Sequence, residues 1–125
     1  MQVSLFDRIG GETAVRKLVD AHLNILKSDP ANRELCGYYC QGLDHYRTRM
    51  CEYLTGFLGG PALYMQNHGM PHLREKHQKL FITPRLRDLW YGCMTHALEQ
   101  EVADEELRRE LAAIFWSAAD GLCNS

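Results

Sequence analysis

The chain has 125 residues, with 14 basic against 16 acidic side chains and a net charge of −2. That length suits one domain over residues 1–125, with room for a core that needs no disulfide staples. The charge balance shows no basic stripe for nucleic acid, and no apolar run approaches the roughly 18 residues of a membrane span.

The first residues, MQVSLFDRIGG, lack the basic segment and apolar stretch of a secretory leader, so a cytoplasmic location is expected. Cysteines stand at 36, 40, 51, 93 and 123. Their odd number and irregular spacing read as reduced thiols rather than a disulfide framework.

Ser4 to Ile9 reads as a short helix, closed by Gly10-Gly11. A longer helix is expected from near Thr13 to about Lys27. Val15, Leu18, Val19, His22 and Leu26 share one of its faces. His22 therefore points inward, or stands at the boundary partly in water. Ser28-Asp29-Pro30 stops the helix. The next stretch is punctuated by Gly37 and Gly42 and carries the adjacent Tyr38 and Tyr39. Cys36 and Cys40, with His45 and Cys51, make only a weak zinc set, because zinc favours two tight pairs.

The next helix is expected from about Leu43 to Leu58. Leu43, Tyr46, Met50, Tyr53 or Leu54, and Phe57 form its apolar stripe, with His45 at the edge. Tyr46 reads as an inward group or as ordinary amphipathic packing with its hydroxyl in water. Gly59-Gly60-Pro61 closes this helix. Ala62 to Met70 is expected to be an extended or loop connection that holds Tyr64 and His68.

The segment HGMPHLREKHQKLFITPRLRDLW, residues 68–90, carries the strongest chemical signal. Leu73, Lys76, His77, Leu80 and Phe81 recur on one helical face, so His77 sits on an apolar side beside Arg74 and Lys76. An imidazole there suits a metal, above all haem iron. The apolar neighbours would cover the porphyrin, and the cations would meet its propionates. The competing reading is a core histidine bonded to a backbone carbonyl.

Thr83 and Pro84 are a natural N-cap and first residue for a helix to about Gln100. Its inward face carries Leu86, Trp90, Cys93 and Ala97, with Leu89, Met94 and Leu98 beside them. Asp104 caps the last helix, whose core face is Leu107, Leu111, Ile114, Phe115, Ala118 and Leu122, with Trp116 on the flank. No strand pattern competes, which gives an all-α domain of about five or six helices.

Several motifs then fall in a specific order: LFDRIGGE at 5–12, AVRKLVDAHLNIL at 14–26, GFLGGPALY at 56–64, HGMPHLREKH at 68–77 and RDLWYGCM at 87–94. Together they resemble the truncated haemoglobins, the two-over-two helical sandwich around haem, and in particular the second group of that family. The resemblance runs from Leu5 to about Asn124. It implies haem b, with His77 as the proximal iron ligand and Leu73 and Phe81 against the porphyrin. It sets Lys76 and Tyr64 near the propionates. Trp90 would line the distal pocket, with Tyr46 and Met50 on the distal helix. The glycine pairs Gly10-Gly11 and Gly59-Gly60 match those that stabilise the short helices.

Two departures stand out. Where the family usually has a tyrosine in the second helix, this chain has Leu23, preceded by His22. The segment from Cys36 to Leu43 is also about two residues longer than usual in the family, and its distal aromatic would fall at Tyr38 or Tyr39, or be lost to Cys36. Tyr46, His45 and His22 are therefore the open choices for the distal donor, or even for a sixth iron ligand.

The resemblance implies binding of O2, NO or CO, in oxygen binding or transport, sensing, or NO or peroxide detoxification. Any such enzymatic activity needs a reductant, hence an unidentified reductase. Two other readings compete. A haem-free helical interaction module would be colourless. A thiol or zinc redox domain would use Cys36, Cys40 and Cys51, near Arg33, Arg47 and Arg49.

Overall fold

A computed structural model describes residues 3–37, 42–70 and 82–123, and all regular structure among them is helical. Helix α1 spans Leu5–Ile9, where Ser4 Oγ accepts the Asp7 N–H at 3.1 Å. It stops at Gly10, whose φ of 119° is left-handed and open chiefly to glycine. Helix α2 follows at once over Gly11–Ser28. It begins two residues before the expected Thr13, because the Gly10 turn lets the two helices abut. Asp29 then caps a 3-10 turn over Pro30–Asn32 by accepting the Ala31 N–H at 3.0 Å. The short helix α3 occupies Arg33–Gly37.

Helix α4 covers Leu43–Phe57 and α5 covers Leu63–His68. Helix α6 covers Pro84–Glu101, with Thr83 Oγ1 accepting the Leu86 N–H at 3.2 Å. Helix α7 covers Glu105–Leu122, with Asp104 accepting the N–H groups of Glu106 and Leu107. Each cap answers donors that a helix start cannot satisfy internally.

The sequence reading of five or six helices thus falls short among the described residues, where α3 and α5 add to the long elements. Helix α5 stands where a loop was expected. Its sequence has no side-chain cap, and tertiary anchoring holds it instead. Tyr64 is buried edge-on to Tyr53 of α4, with ring centroids 6.3 Å apart. From the same helix, Asn67 donates to Glu52 of α4 at 2.6 Å, and the His68 ring lies 3.1 Å from that carboxylate.

Three helix pairings build the core. Helix α2 packs on α4 and on α6, and α6 packs on α7. Val15, Leu18, Val19 and Leu26 meet Leu86, Met94 and Leu98, and behind these lie Leu107, Leu111 and Phe115. Full burial of such a side chain is worth about 1.5–3 kcal/mol. At the end of α7 the buried residue is Ala119 rather than Ala118, since the face advances in steps of four from Leu107 through Leu111 and Phe115. Ile114 and Leu122 are only partly buried.

Helix α1 clasps the far corner of α4. The Phe6 N–H donates to the Leu58 carbonyl at 2.8 Å. A Cβ on Gly60 would come within 2.7 Å of the Phe6 ring, and Gly59 holds a φ of 100° beside Ser4. Arg8 then reaches Glu110 of α7 at 2.5 Å.

Candidate distal site

Three helices bring one polar cluster into the apolar interior. From α6, the indole N–H of Trp90 donates to the Tyr46 hydroxyl of α4 at 2.9 Å. From α2, His22 Nε2 lies 3.0 Å from the same oxygen. The His22 and Trp90 rings meet edge to face, 5.4 Å between centroids. A hydroxyl can accept twice and donate once, so it can serve as the hub of such a trio.

His22 is fully buried, and burial pushes its pKa down from 6.5 to about 4. The ring is therefore neutral at physiological pH. Its Nδ1 is buried and has no hydrogen-bond partner. The reading of His22 as a boundary residue partly in water is overturned, as is that of Tyr46 as a surface-directed hydroxyl.

The local register follows from the packing of α2 against its neighbours. Asp20 and Arg47 pair across α2 and α4 one turn from the cluster, with one N–O distance of 3.2 Å, and the hydrogen bond from Arg47 holds the Asp20 carboxyl below its usual range. This half-exposed ion pair lies beside Tyr46 and links α4 to α2 there.

An aromatic wall continues from the trio. Trp90 stands edge-on to Phe115 at 6.4 Å, and Phe115 meets Phe57 at 6.4 Å. Phe57 stacks on Tyr53 at 5.5 Å. Met50 is half-buried on the same side of α4. The roles of Phe57 and Phe115 escaped the sequence reading, which took both as plain core. Their signal was present in the Tyr46, Met50, Tyr53, Phe57 spacing, which keeps one helical stripe over the length of α4.

The other expected site residues divide clearly. Leu23 is buried beside His22 and offers no polar atom. His45 is partly buried on α4, a helical step away from Tyr46, and is not brought into the trio. Tyr64 is buried on α5, edge-on to His68 as well as Tyr53. His77, Leu73, Lys76 and Phe81 lie outside the described residues, as do Tyr38, Tyr39 and Cys40.

Among the described residues, no three of the His, Cys, Asp and Glu side chains converge as a metal site. Burial raises the Cys51 thiol pKa, and raises that of Cys93 to about 11, so neither is an activated nucleophile. Cys93 is also in hydrogen-bond contact with the buried Asn32. No described helix is long and apolar enough to cross a membrane.

Comparison with known proteins agrees with this architecture. The bacterial-like globin family matches residues 4–122. The group 2 truncated hemoglobin YjbI of Bacillus subtilis is 32% identical over 101 residues, which are 81% of this chain and 74% of that relative. A cold-adapted truncated hemoglobin from the Antarctic marine bacterium Pseudoalteromonas haloplanktis superposes with a TM-score of 0.93 at 32% identity, over 98% of this chain and 99% of that one. A truncated oxygen-avid haemoglobin from Bacillus subtilis gives 0.86 at 29% identity, over 98% and 100%.

The family implies haem iron, and the described residues fit it. Trp90, Phe115, Phe57, Tyr53 and Met50 form an apolar wall suited to a flat macrocycle. Among the described residues, the small polar patch of Tyr46, Trp90 and His22 beside that wall suits a ligand of two atoms rather than a large polar substrate. This chain belongs to the bacterial-like globin family as a group II truncated haemoglobin of the two-over-two fold, a haem-based gas-binding protein.

Proposed function

We propose that residues 1–125 form one haem-b domain, with His77 as the proximal ligand. O2 is the leading candidate for the gas held beside Tyr46 and Trp90. The observation that carries the distal half of this reading is the Tyr46 hydroxyl set between Trp90 and His22 in an apolar wall. The proximal half rests on the sequence HG-x-P-x-L-R-x-x-H at 68–77 within a family match that spans it. The oxygen-avid description of the Bacillus subtilis neighbour favours O2 over NO or CO.

When bound, haem would supply an iron centre able to take an imidazole ligand and a diatomic gas. The chain's own groups do the rest. His77 is assigned to supply the imidazole, and Leu73 and Phe81, four residues before and after it in the sequence, are assigned to the porphyrin contact. Lys76 and Tyr64 are assigned to the propionate edge. On the other side, Met50 and the aromatic wall exclude water, which strengthens each hydrogen bond there. Tyr46 is assigned as the polar group facing a gas that carries partial negative charge, and the Trp90 indole N–H holds that hydroxyl in place. With Leu23 in place of the family's tyrosine, α2 contributes no hydroxyl of its own to that task. The reading places the protein in the cytoplasm, with any redox turnover dependent on a separate reductase.

The test is the absorption spectrum of protein expressed with ample haem, in ferric, reduced and CO-bound forms. A Soret band that survives gel filtration, and is lost or strongly shifted in His77→Ala, is the expected result. A colourless protein, or a His77→Ala variant with an unchanged spectrum, overturns it. The first of those outcomes would point instead to a haem-free helical module, which family membership disfavours.

A further inference from the structure

We infer that Trp116 is a surface site at which phenolic donors are oxidised, joined to the pocket by a square of four aromatic rings across α6 and α7. This inference rests on the reading that haem is bound beside Trp90, and it adds a substrate site outside the pocket. Indole gives up an electron more easily than any other aromatic side chain, and the chain has two tryptophans. Trp90 lines the proposed pocket. Trp116 lies on the outer flank of α7 and is 37% exposed.

The square has an inner and an outer edge. On the inner edge, Trp90 of α6 meets Phe115 of α7 edge to face, with centroids 6.4 Å apart. On the outer edge, Tyr91 meets Trp116 in the same manner at 5.1 Å. Trp90 and Tyr91 are consecutive in α6, and Phe115 and Trp116 are consecutive in α7. Either way round, one ring contact and one step along a helix join the two indoles. Neither intervening ring is a stopping point for a missing electron. The ring of Phe115 is too hard to oxidise. A phenol gives up its electron readily only when its proton leaves too, and the Tyr91 hydroxyl donates to the Ala112 carbonyl at 3.1 Å, an acceptor but not a base. The vacancy therefore passes on to Trp116. There the Arg87 guanidinium lies 4.5 Å from the ring centroid and pairs with Asp120 at 2.8 Å. A cation over the face is attracted by an electron-rich ring, so it opposes a positively charged one. The electron of Trp116 then leaves together with the indole proton, which so exposed a ring can pass to water.

Hydrogen peroxide is the oxidant. It takes up two electrons and two protons as its O–O bond breaks and two waters form. With haem bound, each oxidising equivalent left in the pocket draws one electron through the square, and Trp116 releases one proton to water. A phenol stacked on the exposed ring then breaks its O–H bond, returns one electron and one proton to Trp116, and leaves as a phenoxyl radical. Two phenols thus reduce one peroxide to two waters, and neither enters the pocket. The electrons of this cycle come from the phenol, whereas the reductase assigned above serves gas chemistry of the reduced protein.

The test uses ferric holoprotein with its Soret band confirmed, treated with hydrogen peroxide and a nitroso spin trap. Tandem mass spectrometry locates the trapped adduct. In parallel, phenol groups carried on dextran, too large for the pocket, are followed by the fluorescence of their coupled product. Wild type is expected to carry the adduct on Trp116 and to oxidise the polymer. Trp116→Phe is expected to lose both, and Trp90→Phe to lose most of the adduct on Trp116. An adduct on Tyr46, Tyr53 or Tyr64 in place of Trp116 overturns the inference, and so does polymer oxidation that is unchanged in Trp116→Phe. The adduct position in wild type decides the matter even if a variant fails to fold. A haem-loaded protein that yields no adduct overturns the inference and leaves the gas-binding reading intact. A protein without a Soret band overturns that reading and the inference with it.

Discussion

At the scale of single residues, the chemistry depends on two groups that the sequence displays without explaining. Trp90 was legible as an inward aromatic, because its spacing with Leu86, Cys93 and Ala97 keeps it on the core side of α6. Its indole donates to Tyr46 at 2.9 Å. Trp90→Phe keeps an aromatic ring and removes one hydrogen bond worth about 0.5–1.5 kcal/mol. Stopped-flow measurement of O2 release should show a rate about 2- to 13-fold faster than wild type. An unchanged rate would exclude Trp90 from ligand retention. His22 was legible only as a position on an inward face. Whether it met water, metal or another side chain depended on the distance to Tyr46, 24 residues away in the chain, which no local pattern encodes.

Burial of His22 also makes a pH prediction. Its folded pKa is about 4 against an ordinary 6.5. As pH falls through about 6.5, the unfolded chain takes up a proton there that the folded chain refuses until about pH 4. Stability is therefore lost over that window and is insensitive to this group above it. At about 1.4 kcal/mol per pH unit, the loss comes to roughly 3 kcal/mol. Urea unfolding at a series of pH values should show this slope in wild type. A parallel series for His22→Leu should show a shallower one, and identical slopes would place the ring in contact with solvent.

At the scale of elements, caps were the most readable feature. Thr83 and Asp104 each announce a helix start by residue type and accept the expected backbone N–H, whereas Ser4, read as the first helical residue, proves to be a cap. Thr83→Ala should cost about 1 kcal/mol, readable as a lower urea midpoint with an unchanged slope. Helix α5 was not readable, because its hold on α4 runs through Tyr53, Glu52, Tyr64, Asn67 and His68 rather than through its own ends. The clasp of α1 on the GGP corner was half readable. Glycines at 59 and 60 signalled a stop, but not that Phe6 fills the space beside Gly60. Gly60→Ala puts a methyl group within 2.7 Å of that ring. Overpacking of this kind costs about 1–3 kcal/mol, so a Tm lowered by roughly 5–10 °C is expected by calorimetry. If the Tm is unchanged, α1 is not seated on the corner.

At the scale of the whole molecule, the two-over-two arrangement follows from amphipathic helices with short connections. That much could be read from periodicity and motif order. The assembly of the distal site could not, because each of its three members comes from a different helix. The stripe of half-buried Tyr46, Met50 and Tyr53 with exposed Phe57 also makes a global prediction. Removal of haem should leave that stripe without its cover. Apoprotein should bind a hydrophobic dye that the holoprotein does not, and it should melt at a lower temperature, since a ligand bound only by the folded state adds stability. Equal melting temperatures with and without haem would mean that the core is complete without it.

The clasp between Phe6 and Leu58 has a further consequence, for the order in which the chain folds. The two residues are separated in sequence by α2, α3 and the whole of α4. During synthesis, α1 can rest on α2 as soon as α2 forms, but the corner it clasps is absent until Leu58 to Gly60 have followed it out. Closing so long a loop carries an entropic cost that the packing of α2 on α4 has to meet beforehand. The contact between Phe6 and Leu58 thus marks the completion of the α4 corner, whatever α1 has already made with α2.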